Sequence, residues 1–504
     1  MQLVPDKPDF VRLYEQGENQ LVYTRLVADL DTPVSLMLKL AGAGRMSFML
    51  ESVTGGEVRG RYSVIGMKPD LIWDCRGETA RLNREARFDP EAFEQAAEDP
   101  LTSLRSLIAE SKVDMPEDLP AISAGLFGFL GYDMIRLVEH LPNVNPDPLG
   151  LPDAMMLRPT VTIVLDGVKG EVIVASPVWV RGGLSAQAAY AQAAERVMDA
   201  VNDLDRQPPN ETREMADEAD VRDPVSNTSR DRYFEIVGQA KDYIASGDIF
   251  QVVPSQRWAV PFDLPPFALY RALRRTNPSP YMFYFNLGDF QVVGASPEIL
   301  VRVKDGKVTI RPIAGTRPRG ATKAEDRALE EDLLADPKEC AEHLMLLDLG
   351  RNDVGRVAKI GTVTPTEKYI IEHYSHVMHI VSNVEGELSD DHDALSALLA
   401  GMPAGTVSGA PKVRAMEIID ELECEKRGVY GGGVGYFSAS GEMDICIALR
   451  TGVVQDETLY IQAGGGVVWD SDPEAEFQET INKAKALRQA AQEAARFVSF
   501  RRGN

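Results

Sequence analysis

Strand pairs joined by tight turns limit what this chain can fold into more than any other feature of its sequence. Dipeptides typical of hairpin turns separate the members of each pair, and apolar or β-branched residues fill the strands on both sides. The predicted reversals lie at Gly55-Gly56, Asp166-Gly167, Gly288-Asp289 and Asp305-Gly306. Hairpins rather than strand–helix–strand units predict an α+β fold of two large, mainly antiparallel sheets, packed face to face with flanking helices.

The region 206–229 differs in composition from the sequence on both sides of it. It is acidic, contains prolines and has few apolar residues, which is typical of a linker. An alanine-rich helical pattern precedes it, and Ser229 at its end is a predicted N-cap for the next helix. We therefore predict an N-terminal region of residues 1–205, an acidic linker of residues 206–229 and a second region of residues 230–490.

The formal net charge of −24 argues against the function classes that need a basic face. Nucleic-acid binding and attachment to anionic membranes both depend on clustered lysine and arginine. The most apolar run, residues 121–130, is too short to span a bilayer. No CxxC spacing occurs among the four cysteines, and the first residues lack signal-peptide features. We therefore expect a cytoplasmic protein that binds neither nucleic acid nor membrane.

Two pairs of glutamates predict a metal site. Glu339 and Glu342 are three residues apart in a helical pattern, so their carboxylates share one helix face beside an apolar stripe. Glu476 and Glu479 repeat this spacing in a second helical pattern that starts near Pro473. Carboxylates held this close repel each other unless a cation lies near them, and Mg²⁺ prefers oxygen ligands. The alternative is that each pair belongs to an ordinary solvated helix face.

Glycine-rich segments predict a pocket. The loop at residues 402–411 leads into a helix, and its backbone N–H groups can face an anion there. Glycine triplets at residues 431–433 and 464–466 interrupt strands, which is typical of a close approach to the backbone. Arg450 is a candidate carboxylate clamp, because guanidinium binds carboxylate through two parallel hydrogen bonds. Tight turns and close sheet packing are the competing explanation for the glycines.

Three histidines fall within seven residues, at His373, His376 and His379. We reject a zinc site there, because no cysteine or carboxylate stands at a known zinc spacing beside them. His379 lies among apolar residues and is therefore a candidate for proton transfer near neutral pH. A buried histidine with a purely structural role is the alternative.

Several long motifs identify a resemblance to a known family. The chain resembles the chorismate-utilising enzymes, most closely the anthranilate synthase component I family. The second region carries the longest matches, and GRYSVIG (60–66) and GFLGYD (128–133) fit in the N-terminal region. These longest matches are PIAGTRPRG (312–320), ECAEHLMLLDLGRND (339–353), VMHIVS (377–382), AGTVSGAPKVRAMEII (404–419), YGGGVGYF (430–437) and PEAEFQETINKA (473–484).

The resemblance implies a lyase that converts chorismate and ammonia to anthranilate and pyruvate, the first committed step of tryptophan biosynthesis. It implies Mg²⁺ on Glu342 and Glu479, with Glu339 and Glu476 nearby. It implies catalytic roles for His379, Glu339 and Thr406, with His379 assisting loss of the ring hydroxyl as ammonia adds. The residues that it implies for chorismate binding are Gly315, Thr316, Tyr430, Arg450, Gly464, Gly465 and Gly466. How Glu339 and His379 divide the proton transfers is left open by the sequence.

Two positions separate this chain from related activities. Aminodeoxychorismate synthases resemble it but typically carry a nucleophilic lysine where this chain has Ala314. Isochorismate and salicylate synthases typically carry a lysine base where this chain has Gln251. Alanine cannot attack and glutamine cannot accept a proton, so ammonia is the expected nucleophile. Alternatives are an aminodeoxychorismate or aminodeoxyisochorismate synthase, and a non-catalytic tryptophan-binding homologue.

The resemblance also implies an inhibitor and a partner. Tryptophan is expected to bind between the two regions, at a pocket lined by Glu51, Ser52, Pro280, Tyr281 and Met282. No G-x-C-x-G nucleophile loop surrounds any of the four cysteines, so ammonia is expected from a separate glutamine amidotransferase subunit. The expected assembly contains two large and two small subunits.

Overall fold

A computed structural model describes residues 2–41, 44–52, 60–180, 182–207, 212–214, 224–374 and 377–501. Its α-helices are α1 (Lys7–Glu15), α2 (Pro33–Leu40), α3 (Pro100–Glu110), α4 (Ala186–Leu204), α5 (Arg230–Ala245), α6 (Pro266–Thr276), α7 (Lys323–Ala335), α8 (Pro337–Gly355), α9 (Ala394–Gly401), α10 (Lys412–Leu422) and α11 (Pro473–Glu493). Short 3₁₀ segments cover Ala121–Ser123, Tyr132–Leu137 and Ala494–Phe497.

The strands alternate with these helices along the whole chain. They are β1 (Gln20–Val27), β2 (Ser47–Glu51), β3 (Tyr62–Arg76), β4 (Thr79–Asn83), β5 (Glu94–Gln95), β6 (Gly125–Leu130), β7 (Ala154–Asp166), β8 (Glu171–Val178), β9 (Thr212–Glu214), β10 (Val225–Ser226), β11 (Gln251–Val252), β12 (Ser255–Pro261), β13 (Tyr281–Asn286), β14 (Phe290–Ser296), β15 (Ile299–Lys304), β16 (Lys307–Ile310), β17 (Ile313–Pro318), β18 (Thr364–His373), β19 (Val377–Glu387), β20 (Gly409–Ala410), β21 (Gly433–Ser438), β22 (Met443–Ile447), β23 (Thr451–Gln455), β24 (Thr458–Gly464) and β25 (Ser499–Arg501).

Most strands belong to one antiparallel hydrogen-bonded network that closes on itself. β2 pairs with β13 and β6 pairs with β21, so strands from the N-terminal region are inserted beside strands of the second region. Gly128 on β6 lies opposite Gly435 on β21. A Cβ on Gly128 would lie 1.9 Å from the Met155 carbonyl oxygen, and one on Gly435 would lie 2.1 Å from that of Asp444. Only glycine permits the strands to pass this closely.

The core lies between two faces of this network. The Phe48 ring on β2 stacks on the Phe127 ring of β6, with centroids 4.5 Å apart, although the two strands have different hydrogen-bonded neighbours. Alternate residues point outward because side chains change face at each step along a strand. Met49 and Ile65 accordingly pack against helices α6 and α11 on one outer side, and Trp73 packs on the opposite side, where α8 and α9 also lie.

The sequence-based fold prediction is confirmed in class. The described residues form an α+β structure with extensive antiparallel sheet and helices outside it. Hairpin turns occur at Asp166-Gly167, Gly288-Asp289 and Asp305-Gly306, whereas Gly55-Gly56 lies outside the described residues. Ser229 caps α5 as predicted by accepting a hydrogen bond from the Arg232 N–H at 3.2 Å.

Residues 206–229 contain the short strands β9 and β10, which pair with β25 and β12. The boundaries of the three predicted regions stay a prediction. None of the helices in the described part of the chain is both long and apolar enough to cross a membrane.

Candidate active site

The two acidic helices begin side by side. Asp336 caps α8 through the Lys338 N–H at 2.9 Å, and Asp472 caps α11 through the Ala475 N–H at 2.9 Å. A proline occupies the first turn of each helix, where its missing N–H costs nothing. An ion pair of 3.2 Å between Lys338 and Asp470 links the two starts. The first turns of both helices therefore border one cleft.

The predicted glutamates meet across this cleft. Burial raises the pKa of Glu342, and the charges of Glu339 and Glu479 raise it further. Burial also raises the pKa of Glu476, with an additional contribution from Glu479. Since Glu342 lies on α8 and Glu479 on α11, the helices bring both pairs within electrostatic reach. Oxygen Oε2 of Glu476 is buried and has no hydrogen-bond partner within the described residues.

Lys483 is a cleft residue that the sequence analysis did not single out. Its ammonium lies 2.7 Å from Glu479 Oε1 and donates to the Gly464 carbonyl at 3.0 Å. Desolvation lowers the pKa of Lys483, but the charge and hydrogen bond of Glu479, together with Tyr430 and Glu476, outweigh this effect, so the pKa is raised. The i, i+4 spacing from Glu479 on α11 was the available signal, although most such pairs lie on solvated surfaces.

The carboxylates suit a magnesium ion that takes few protein ligands. Among the described residues, no group of three or more His, Cys, Asp and Glu side chains is arranged to hold a metal ion. Mg²⁺ commonly binds one or two protein carboxylates and completes its shell with water and substrate oxygens. Glu342 and Glu479, at opposite walls of the cleft, fit that pattern. Convergence of all four glutamates on one ion stays a prediction.

His379 is held as a neutral base. Its Nδ1 lies 2.8 Å from the Gly315 carbonyl oxygen and 3.1 Å from Thr316 Oγ1. A carbonyl oxygen only accepts, so Nδ1 carries the proton and Nε2 keeps its lone pair. Burial lowers the pKa of His379 below its usual value, and the hydrogen bond to Gly315 only partly offsets this effect. The predicted desolvation is therefore present, and it favours the neutral form at pH 7.

Gly315 forms the turn that holds this histidine. Its φ of +68° lies in the left-handed region that favours glycine. A Cβ there would lie 3.1 Å from Oε2 of Glu339, so the turn also packs against the first acidic helix. The backbone at Gly315 thereby connects His379 to the α8 wall of the cleft.

Arg450 faces the same cleft without a carboxylate of its own. No ion pair joins its guanidinium to an acidic side chain among the described residues, and burial lowers its pKa. Its positive charge contributes to the low pKa of His379, which places the two side chains near each other. A buried cation without an anion is unfavourable, and a bound carboxylate would remove that cost.

Glu298 is the most consequential residue that sequence reasoning missed. It lies just before β15, is 6% exposed, and accepts from Thr406 Oγ1 at 3.3 and 3.4 Å. Burial raises the pKa of Glu298 to about 8, against the opposing hydrogen bonds from Thr406 and the Ile313 N–H. The carboxyl is therefore mainly protonated at pH 7. Its sequence signal was a single glutamate between two apolar strand patterns.

The glycine run 464–466 forms a wall with no room for side chains. A Cβ on Gly464 would lie 2.9 Å from the Pro254 carbonyl oxygen and 3.0 Å from the Tyr430 hydroxyl. A Cβ on Gly466 would lie 2.6 Å from Nε2 of Gln251. Oxygen Oε1 of Gln251 is buried without a hydrogen-bond partner within the described residues.

The charge of Lys483 acts on residues from all of these walls. It contributes to the pKa values of Glu298, His379, Tyr430, Glu342 and Glu476. Residues from distant parts of the sequence therefore share one electrostatic environment. The cleft combines a protonated acid, a neutral base, an acidic rim and a guanidinium without an ion-pair partner among the described residues.

The other two histidines lie elsewhere. His373 pairs with Glu330 at 2.8 Å on a partly exposed surface, and His376 is outside the described residues. The zinc alternative gains no support from the described residues.

The residues predicted for an effector pocket form a second cluster. Glu51 lies directly opposite Met282 across the β2–β13 pair, and Ser52, Pro280 and Tyr281 are adjacent in sequence. The buried Glu51 carboxylate accepts from Arg274 Nε at 2.6 Å and from the Tyr270 hydroxyl. The cluster therefore lies where the N-terminal and second regions share a sheet.

Comparison with known proteins agrees with these features. The sequence profile of a family described as chorismate binding enzyme matches residues 68–489. Anthranilate synthase component 1 of Cereibacter sphaeroides is 73% identical over 98% of this chain and 99% of its own length. That of Pseudomonas aeruginosa is 49% identical over 96% and 97%, respectively. The crystal structure of anthranilate synthase component I from Streptococcus pneumoniae superposes with a TM-score of 0.75 at 38% identity, covering 87% of this chain and 94% of that one.

The protonation of Glu298 can be tested without an assay. Infrared spectroscopy should show the carbonyl stretch of a protonated carboxyl that persists at pH 7 and disappears as the pH rises through about 8. Glu298→Gln should remove this band. Thr406→Val removes a hydrogen bond that favours the charged form, so the band should then persist to higher pH. A band that is absent at pH 6 in the parent protein would contradict the assignment.

Proposed function

The chain belongs to the chorismate-binding enzyme family, within its anthranilate synthase component I branch, and we propose that it forms anthranilate and pyruvate from chorismate and ammonia. The observation that carries the proposal is the partly buried Arg450, which has no ion-pair partner among the described residues, beside neutral His379 in a cleft that also holds protonated Glu298. Chorismate supplies two carboxylates, a hydroxyl leaving group and a ring proton. The cleft provides a group of matching chemistry for each.

Arg450 would bind one carboxylate of chorismate. Its planar guanidinium offers two parallel N–H donors, and pairing with the substrate would relieve the cost of an unpaired buried charge. The glycine wall at Gly464–Gly466 would let the ring approach the backbone, with Tyr430 packed behind Gly464. These contacts orient the ring so that its reacting carbons face Glu298 and His379.

Glu342 and Glu479 would hold Mg²⁺ together with the ring carboxylate, and Glu339 and Glu476 lie beside them. When bound, the ion would neutralise that carboxylate and draw electron density from the ring. The cleft is otherwise rich in negative charge, so an anionic substrate needs such a counter-charge to enter. Lys483, already paired with Glu479, supplies part of it.

Glu298 would act as the general acid in the first half-reaction. Ammonia forms a bond to the ring carbon beside the carboxylate-bearing carbon, the double bonds shift, and the C–O bond to the ring hydroxyl breaks. Hydroxide is a poor leaving group, so protonation of this oxygen by Glu298 lets it depart as water. Thr406 holds the carboxyl in place through its hydroxyl.

His379 would act as the base in the second half-reaction. Its Nε2 accepts the proton from the aminated ring carbon, the ether C–O bond breaks, and the ring becomes aromatic as enolpyruvate leaves. The enolpyruvate then takes up a proton at its methylene carbon to give pyruvate. This division differs from the sequence-based expectation, which gave departure of the hydroxyl to His379. The buried acid Glu298 had not been recognised there, and a neutral imidazole suits proton removal better than proton donation.

Ammonia is the nucleophile that this cleft favours. Ala314 lies in β17 and offers no nucleophilic atom, and the Gln251 amide next to Gly466 cannot deprotonate water. An amination that stops before loss of pyruvate remains the second candidate, and the product assay below separates the two. Ammonia would come from a separate glutamine amidotransferase subunit or, in its absence, from solution.

Tryptophan would inhibit the enzyme at the cluster around Glu51. This cluster lies at the β2–β13 pair, where the two regions share hydrogen bonds, so a ligand there can favour one arrangement of the regions. Inhibition requires that tryptophan bind the inactive arrangement more tightly than the active one. Ser52 directly follows β2, next to the ion pair of the buried Glu51 with Arg274.

The central prediction concerns products and pH. With chorismate, ammonium and Mg²⁺, anthranilate fluorescence and pyruvate should appear in equal amounts. Glu298→Gln should lower kcat by roughly 10²–10⁴-fold, because the leaving hydroxyl loses its proton donor. The rate, corrected for free ammonia, should fall as pH rises through about 8, where Glu298 loses its proton, and should also fall at acid pH as His379 gains one. An aminated intermediate that accumulates without pyruvate would contradict the proposal.

The metal assignment predicts a selective loss of Mg²⁺ response. Glu342→Gln should raise the Mg²⁺ concentration needed for half-maximal activity by about 10-fold or more, since one of two protein ligands is weakened. Glu474→Gln is the matched control, because Glu474 lies on α11 but pairs with Arg230 outside the cleft. An unchanged Mg²⁺ requirement in Glu342→Gln would contradict the assignment.

The effector assignment predicts relief of inhibition. Ser52→Phe should weaken tryptophan inhibition by about 10-fold or more, equivalent to about 1.4 kcal/mol of binding free energy, because a ring fills the pocket. Uninhibited activity should remain close to that of the parent enzyme. Ser106→Phe, at an exposed position of α3, is the control and should keep normal sensitivity. Equal inhibition of Ser52→Phe and the parent enzyme would place the pocket elsewhere.

A further inference from the structure

Arg427 is a buried arginine behind the cleft that neither the sequence motifs nor the proposed chemistry uses. It follows α10, is 3% exposed, and forms an ion pair with Glu423 at 2.6 Å. The same Glu423 carboxylate accepts from the Ser255 N–H at 2.7 Å and the Ser255 hydroxyl at 2.8 Å. The pair is therefore fully enclosed and bonded on several sides.

The guanidinium also holds two backbone segments that line the cleft. Nη1 donates to the Val407 carbonyl at 2.6 Å, and Nη2 donates to the Val253 carbonyl at 2.6 Å. Val407 directly follows Thr406, which bonds to Glu298. Val253 belongs to the segment that starts with Gln251. One planar group thus sets the distance between two loops that carry cleft residues.

Two aromatic rings pack against this guanidinium. Its central carbon lies 4.7 Å from the Tyr132 ring centroid and 5.5 Å from that of Tyr430. Tyr430 packs against Gly464 in the glycine wall. Tyr132 comes from the N-terminal region, and its N–H donates to the Gly428 carbonyl at 2.9 Å. Arg427 therefore connects three walls of the cleft with the N-terminal region.

We propose that Arg427 is a positioning residue that fixes Thr406, Gln251 and Tyr430 relative to one another. The kinetic effects expected of this role depend on the proposed function, whereas its structural effects do not. Arginine is required because its planar fork offers donors in several directions and flat faces to both rings. Lysine would keep the charge but cannot bond both carbonyls and Glu423 in the same geometry.

Displacement of Thr406 would change the pKa of Glu298, which a loss of stability alone would not do. The Thr406 hydroxyl favours the charged form of Glu298, so a shifted Thr406 leaves the Glu298 carboxyl protonated to higher pH. Arg427→Lys should therefore move the infrared titration of Glu298 to higher pH, in the direction of Thr406→Val. The alkaline limb of the activity profile should move with it, and kcat should fall by roughly 10–100-fold.

Arg136→Lys is the matched control. Arg136 is also a mostly buried arginine, paired with Asp133 and Asp420 at 2.6 Å each and bonded to the Asn143 carbonyl at 2.7 Å. Within the described residues its hydrogen bonds and ion pairs reach neither cleft loop. It should lose stability comparably while the titration of Glu298 stays unchanged. Tyr132→Phe should also leave the titration of Glu298 unchanged, because the Tyr132 hydroxyl is buried without a hydrogen-bond partner within the described residues.

The experiment compares the infrared titration of Glu298 and the pH–rate profiles of the folded variants. If Arg427→Lys does not fold, Tyr132→Leu provides the same test, because it removes one of the two rings that pack on the guanidinium. It should shift the infrared titration of Glu298 to higher pH, by less than Arg427→Lys would. An unchanged titration in the folded Arg427→Lys or Tyr132→Leu protein, or an equal shift in Arg136→Lys, would overturn the proposal. If no anthranilate forms in any variant, the proposed function fails, whereas the infrared titration still decides the role of Arg427.

Discussion

Hydrogen bonding between β6 and β21 is the constraint on which the candidate site depends. The pair joins a strand near residue 128 to one near residue 435. Gly128 and Gly435 lie opposite each other in it, and their missing side chains let β6 and β21 also lie against their other neighbours, β7 and β22. Immediately beyond its end, Tyr132 meets Arg427, and Tyr430 packs against the glycine wall. The N-terminal region therefore forms part of the support of the cleft as well as the predicted effector site.

Burial gives the acid and the base of the cleft opposite and useful protonation states. Removal from water disfavours charge of either sign, so it raises the pKa of Glu298 and lowers that of His379. At neutral pH one residue can donate a proton and the other can accept one. Direct hydrogen bonds then tune each group: Thr406 acts on the carboxyl, and the Gly315 carbonyl fixes the imidazole tautomer.

The acidic rim follows a different principle. Glu339 and Glu476 lie in the first turns of α8 and α11, where the helix dipole and free N–H groups favour negative charge. This local stabilisation lets four carboxylates remain close to each other, with Lys483 compensating one of them. The remaining negative charge is what a divalent cation would neutralise, and this would let a carboxylate substrate bind beside it.

The sequence by itself determined the local features of this protein. Hairpin turns, the Ser229 cap, the start of α11 near Pro473 and the glutamate spacing all depend on residues within a few positions of each other, which is why patterns predicted them. The resemblance to a known family joined His379, Arg450 and the glycine wall, each already a candidate from local patterns, into one set. It could do so because those residues lie in long contiguous motifs.

Only the tertiary structure decided how the separate pieces act on each other. The raised pKa of Glu298 and the contacts of Arg427 arise from burial beside segments that are distant in the sequence, and the fold places the Lys483–Glu479 pair at the cleft. A single glutamate, lysine or arginine carries no local signal of its surroundings, because desolvation and hydrogen-bond partners come from the packed fold. For the same reason the sequence could name four glutamates, whereas the fold decided which of them face each other across the cleft.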